Sequence, residues 1–392
     1  MIEYRMDEIF ELQMGKTPSR GKQEYWVSKG HKWISIADLS KCGKYISETK
    51  EYLSDEAVNE SGISLIPANT VLLSFKLSIG KAAITAEPMY SNEAIMSFRD
   101  RQVVELLPEY IYYMFLGKDW DSGTNKAVMG KTLNKATLSA IRIKVHDISK
   151  QREIVRVLSK VDELIVARQQ QLAKLDELVK ARFVEIFGDL AAPDCLWLSV
   201  RLMDTCENQD AIKCGPFGTQ LSKEEYKSDG VAVWEIPQIN SQFVSSPTHY
   251  LTEEKAKQLQ SYSICPGDIA MSRKGNVGKC AVFPKEFEPG IIHSDVLRIR
   301  VDQKRVLPVF MMCQLHFSKA VQHQIKLVSS GAIMAGINVT KLKKIYVHIP
   351  PMDLQRRFVA FVESVDKTKL SIQNGLEQVE ILKKALMQKY FG

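Results

Sequence analysis

Residues 151–188 and 355–392 carry one pattern and can be laid over each other without a gap. The first reads QREIVRVLSKVDELIVARQQQLAKLDELVKARFVEIFG and the second QRRFVAFVESVDKTKLSIQNGLEQVEILKKALMQKYFG. Both open Gln-Arg, hold Val-Asp at the same place and close Phe-Gly, with an offset of 204 throughout (355 less 151, 365 less 161, 392 less 188). Each also carries a heptad seam. Ile154, Leu158, Val161, Ile165, Leu172 and Leu175 lie on the first, and Phe358, Val362, Val365, Ile372, Leu376 and Val379 on the second. Alternating steps of four and three keep apolar side chains on one line of a slightly under-wound helix. At ~1.5 Å per residue, each helix should be roughly 55 Å long. The spacing predicts two matched helices that pack on each other as an intramolecular coiled coil, each tied to one globular domain. The alternative is two unrelated surface helices, but neither stretch has the caps or breaks that would end it early. Gly375 weakens the second helix by about 1 kcal/mol and is the place for a bend.

A chain of 392 residues has room for two ordinary domains plus these connectors. We place the first domain at residues 1–148, the first helix at 149–188, the second domain at 189–350 and the second helix at 351–392. The N-terminus MIEYRMDEIFEL has acidic residues where a secretory signal needs a cationic and then apolar run. No uncharged apolar stretch approaches the ~20 residues that span a bilayer, so a soluble cytoplasmic protein with no membrane partner is expected. The seven cysteines are scattered without a Cys-x-x-Cys, which predicts reduced thiols and no metal site. The net charge of +7 suits a polyanion such as DNA.

The globular parts repeat as well, with a drifting offset. Pro67-Ala68-Asn69 falls against Pro266-Gly267-Asp268, and Ser74, Gly80 and Lys81 against Ser272, Gly278 and Lys279. Leu107-Pro108 falls against Leu307-Pro308, and Leu133, Leu138 and Ile141 against Ile337, Leu342 and Ile345. Strands are predicted over residues 31–39, 71–75, 82–85, 94–98 and 141–145, with helices over 108–116 and 133–140. The chain is thus a duplicated domain-plus-helix unit.

Three loops in each half combine glycine, basic and small polar residues. In the first half they hold Lys16, Thr17, Ser19, Arg20 and Lys22; Lys76, Ser78 and Lys81; and Asn125, Lys126 and Lys131. In the second they hold Lys213, Phe217, Gln220 and Lys223; Arg273, Lys274, Asn276 and Lys279; and Ser329 and Ser330. Glycine lets backbone N–H groups approach phosphate, the cations neutralise it, and Thr, Ser, Asn and Gln can bond base edges. Solvated turns are the plainer reading of any one such loop; three equivalent loops in both halves favour a DNA-binding set. Residues 273–280 fail as a nucleotide-phosphate loop, because two residues separate Gly275 from Gly278 and Cys280 follows the lysine. No cofactor fingerprint, methyltransferase tetrad or nuclease core occurs. His146, His249, His293, His316, His323 and His348 have no evident carboxylate or cysteine companion in the sequence. Catalytic residues, cofactors and metals are therefore expected to be none.

GKTPSRGKQEYW early in the first half, KCGPFGTQL and SRKGNVGKCAV in the second, and a strand leading to Gln-Arg before each long helix resemble type I restriction-modification specificity subunits. The resemblance covers the whole chain and rests on the duplicated order of its motifs. It implies an α+β fold: two similar target recognition domains separated by two long antiparallel helices, pseudo-two-fold symmetric. It also implies a non-catalytic subunit that binds double-stranded DNA at an asymmetric bipartite target, with two methyltransferase subunits and restriction motor-nuclease subunits as partners. Arg152, Arg156 and Lys160, beside Asp162 and Glu163, are candidates for the methyltransferase-docking face. The second half has Pro350-Pro351 where the first has Asp147-Ile148, which leaves the first helix start open by a turn.

Overall fold

The computed structural model describes residues 1–392 except 77, 121–132, 191, 193–194 and 330–335. It divides into two compact units, Met1–Gln170 with Gln373–Gly392, and Gln171–Ile372. Each unit therefore owns part of both long helices, which run as single 40-residue elements, Ile148–Phe187 and Met352–Phe391. Both start three residues before their glutamine (151 less 148, 355 less 352), so the two starts match. Asp147 Oδ1 accepts from Lys150 N at 2.9 Å and satisfies one of the otherwise unpaired first-turn donors. The second helix passes through Gly375 as one element, and a side chain there would meet open space.

In the first unit, Phe10–Met14, Ile95–Asp100, Val71–Ser74, Ala82–Thr85 and Tyr45–Ile46 form a sheet in that order. It is antiparallel except for the last pair. A second sheet sets Trp26–Val27, Glu51–Leu53, His31–Ile34 and Tyr90–Ser91 side by side. The strand expected over residues 31–39 stops at Ile34. Ser35 accepts from Asp38 N at 3.2 Å and caps the helix Ile36–Lys41, a local N-cap that overrides the alternating pattern. The helix Pro108–Gly117 opens on proline and buries Tyr110, Ile111, Tyr113 and Phe115 against the first sheet.

The second unit repeats this plan. Ile212–Cys214, Val296–Ile299, Ile269–Ser272 and Cys280–Val282 form one sheet, and His249–Leu251, Val231–Trp234, Gly290–Ile292 and Ser263–Ile264 the other. Pro308–Phe317 is the counterpart of Pro108–Gly117. One sequence match moves by a residue: Asn69 N donates to Thr85 O as Gly267 N does to Phe283 O, so Asn69 answers Gly267. Both adopt a left-handed backbone, with φ 59° and 89°, which asparagine tolerates better than most residues.

Within each unit the two long helices run antiparallel. In the first, Lys150 lies 5.9 Å from the Tyr390 ring and Asp162 bonds Lys383 at 2.7 Å, so numbers rise on one helix as they fall on the other. In the second, Asp176 pairs with Lys369, Arg182 lies 5.7 Å from the Phe361 ring, and Phe183 and Phe187 pack on Phe358 with centroids 5.4 and 5.5 Å apart. Seam residues Ile154, Leu158 and Val161, and Phe358, Val362 and Val365, are buried where the globular parts cover them. Ile165, Leu172, Leu175, Ile372, Leu376 and Val379 are half-buried. Asp162 belongs to this interior and not to the outer helix face, since it also accepts from Tyr113 at 2.7 Å. Lys160 and Glu163 pair on the exposed side at 3.1 Å.

Candidate nucleic-acid interface

The loop at residues 15–22 leaves the edge of the first sheet at Gly15. A Cβ there would sit 2.3 Å from the carbonyl oxygens of Ser91 and Asn92, so only glycine allows this approach. Beyond it, Lys16 reaches Ser61 O, and Arg20 clasps Glu51 through both terminal nitrogens while lying 3.7 Å over the Trp26 ring. Lys22 bonds Glu60 at 2.8 Å and Tyr25 at 2.6 Å, and those two partners, Glu60 first, raise its ammonium above the ordinary value. Thr17 bonds Glu93 and accepts from Asn92 Nδ2 at 3.0 Å, while Ser19 is exposed and gives its carbonyl to Trp26. The loop's polar side chains thus sit on partners that phosphate or base edges could exchange.

In the second unit Gly215 makes the same approach, 2.3 Å from His293 O and 2.4 Å from Ile292 O for an added Cβ. Phe217 follows, exposed, with the Arg273 guanidinium 4.9 Å over its ring. Gln220 accepts from Phe217 N and Tyr262 OH, both at 3.1 Å; Lys213 lies 4.9 Å from the Tyr262 ring, and Lys223 is exposed. Lys274 pairs with Asp295 at 2.8 Å, and Asn276 is exposed beside it.

The hairpin turns at residues 76–81 and 273–279 share a frame. Ser74 N donates to Lys81 O at 2.8 Å and Ser272 N to Lys279 O at 2.7 Å, with Gly80 and Gly278 at φ 90° and 84°. Lys76 lies 5.3 Å from the Phe75 ring, and Ser78 N donates to Lys76 O at 2.7 Å. The two matched lysines have an internal use: Lys279 donates to Asn240 O at 2.9 Å and Lys81 to Ser40 at 2.6 Å, each at the end of the neighbouring helix. Ser329 is a buried helix residue that donates to Lys326 O at 3.0 Å, not an exposed loop donor. Asn125, Lys126, Lys131 and Ser330 lie outside the described residues.

Three of these histidines, His249, His293 and His316, do have such companions, which corrects the sequence reading for them. His249 Nδ1 is 2.8 Å from Glu235, His316 Nε2 is 3.3 Å from Cys280 Sγ, and His293 lies 4.0 Å from Glu235 and 3.8 Å from Asp295. Apart from Asp295, which is two residues from His293, these partners come from separate strands and loops. Burial pushes the Cys280 thiol up and the His316 imidazole down, the reverse of an activated pair. Among the described residues no group of histidine, cysteine and carboxylate side chains converges as a metal site, and no helix is long and apolar enough to cross a membrane.

The duplicated frame corresponds to a known one. The family description "Type I restriction modification DNA specificity domain" matches residues 1–177 and again residues 197–381. The chain belongs to the type I restriction-modification specificity family. Each family match contains one of the glycine-anchored loops and one of the hairpin turns described above. This family member is 23% identical over 409 residues to the type I restriction enzyme MjaIX specificity subunit of Methanocaldococcus jannaschii, covering 97% of this chain and 89% of that one. It is 27% identical over 197 residues to the EcoR124I/EcoR124II specificity subunit of Escherichia coli, covering 48% of each. Its fold is like that of the type I restriction-modification S subunit from M. genitalium, with a TM-score of 0.56, 14% identity, and 100% and 96% coverage of the two chains. A chain solved to explain complex assembly and conformational transition of the type I R-M system gives a TM-score of 0.61 at 15% identity, covering 100% of this chain and 97% of that one.

Proposed function

We propose that this specificity-family chain is the DNA-reading subunit of a type I restriction-modification complex and carries out no chemistry itself. Residues 1–148 and 189–350 act as target recognition domains, and residues 149–188 and 351–392 as the spacer. The observation that carries this is the duplication: one backbone frame occurs twice, with a glycine-anchored loop and a basic hairpin turn in each copy and different side chains upon it. Two similar readers on antiparallel rods can meet the two halves of a duplex site in similar poses, because the duplex backbone is itself two-fold symmetric. Since the readers differ in side chains, the half-sites differ, and the target is asymmetric and bipartite. Basic loops set the position on phosphate and polar groups read base edges, each good bidentate contact discriminating by ~1–3 kcal/mol. Two methyltransferase subunits and restriction motor-nuclease subunits supply the chemistry, in the cytoplasm, and dock through this chain.

The test is to map methylated bases in a host carrying the partner methyltransferase, with and without this chain. Methylation of a two-part motif that depends on the chain supports the reading. Two other readings predict different results. A coiled-coil scaffold that joins proteins without DNA would show no salt-dependent duplex binding, and a stand-alone modifying enzyme would act as the purified chain alone.

A further inference from the structure

Backbone hydrogen bonds fix which residue of one unit answers which of the other. Asn92 N donates to Ile34 O, and His293 N to Trp234 O, both at 2.9 Å, so Asn92 answers His293 and Ser35 answers Glu235. The antiparallel ladders set Trp33 opposite Glu51 and Val233 opposite His249, so Glu51 answers His249. At frame positions the residue type is kept: Gly15 and Gly215, Ser74 and Ser272, Lys81 and Lys279. At these other positions it changes, and the charge changes with it.

Glu235 puts a longer, charged side chain where the first unit has Ser35. Ser35 caps its helix by accepting from Asp38 N, as a short hydroxyl at an N-cap does. Glu235 stands at the matching N-cap of Ile236–Asn240, where its backbone N–H donates to Gln238 Oε1 at 3.1 Å. Its side chain is 16% exposed, and its carboxylate lies 2.8 Å from His249 Nδ1 and accepts from Thr248 Oγ1 at 3.1 Å. The His249 side chain is 42% exposed, and its ring stacks on Tyr226 with centroids 4.5 Å apart. A carboxylate only accepts, so Nδ1 of His249 carries the hydrogen and Nε2 is left as the free edge. From Glu235 the contacts continue through His293 and Asp295 to Lys274, on the hairpin turn proposed above for the DNA face.

We propose that His249 reads a base of the second half-site through Nε2, accepting from the exocyclic amino group of adenine or cytosine in the major groove, with Glu235 as the residue that positions it. This rests on the DNA-recognition reading above and names one residue by which one half of the target differs from the other. In the first unit the same place holds Glu51 clasped by Arg20, so the matching base contact there has a different chemistry.

The experiment uses the full chain with its own methyltransferase partner in a host free of other type I methylation, read by base-resolved methylation mapping. H249A and E235A should relax one base position in one half of the motif and leave the other half unaltered, with at least about a tenfold loss of preference at that position. E235Q, which keeps an acceptor for the Nδ1 hydrogen, should retain the wild-type motif. An unchanged motif and extent from H249A overturns the proposal. So does loss of methylation at every site together with a lower melting temperature, because removing a reader leaves the fold intact. Methylation of the same sites in a host lacking this chain would instead overturn the DNA-reading function itself.

Discussion

Gln151 Oε1 accepts from the backbone N–H of Leu107 at 3.0 Å, while its Nε2 donates to Glu105 O and His146 O, both at 2.9 Å. Gln355 does the same one repeat later, accepting from Leu307 N at 2.9 Å and donating to Arg305 O at 3.3 Å and Pro350 O at 2.8 Å. Both side chains are fully buried. Each glutamine locks the first turn of a long helix to the loop before the helix that opens on Pro108 or Pro308. Truncation to alanine removes the partner of three backbone groups. Q151A and Q355A should each destabilise their unit by about 1–3 kcal/mol, read as a lower denaturation midpoint; an unchanged midpoint would show that the lock contributes nothing.

The antiparallel register can be tested through Asp162 and Lys383, which bond at 2.7 Å with both side chains about one quarter exposed. D162K should lower the melting temperature and D162K/K383D should recover part of it, with a coupling of about 1 kcal/mol in the double-mutant cycle. Failure of the swap to recover any stability would argue against this pairing.

Lysines of the two hairpin turns should separate into two classes. K274A removes a cation paired only at the surface of the candidate DNA face, and should reduce the slope of log affinity against log salt by roughly one on any duplex. K279A releases the carbonyl of Asn240 and should lower thermal stability while moving that slope much less. Equal slopes for both variants would remove the distinction.

Acid should weaken the second unit through His316. Burial first, then the nearby Lys279 charge, holds its imidazole below the ordinary value of 6.5, and its Nε2 accepts from Cys280 N at 3.1 Å. The unfolded chain binds this proton more readily, so stability is fully present above the unfolded pKa and is lost as pH falls below it. The melting temperature should drop as pH falls below about 6.5, and the drop should shrink in H316Q, which keeps an acceptor but does not titrate. A pH dependence as steep in H316Q as in the wild type would sink this assignment.

Lengthening the rods should lengthen the unread gap. Inserting four residues near both Gln170 and Asn374 adds ~6 Å to each helix, or about one to two base pairs at ~3.4 Å per step. A methylation map with an unchanged gap would count against the helices as a ruler.

The sequence alone determined the duplication, the two long helices and the loops worth examining. These signals are local: a 3.5-residue repeat, a glycine or proline at a turn, and a cation nearby can be recognised without knowing what lies across the fold. Tertiary structure decided the partners. It made Gln151 and Gln355 locks, when in sequence they only opened a repeated pattern. It gave Lys81, Lys279 and Ser329 bonds within the unit. It also brought Glu235 to His249 across 14 residues and Cys280 to His316 across 36. Which side chain meets which depends on how strands distant in sequence pack and which polar groups they shut off from water. Periodicity along one chain carries no record of that.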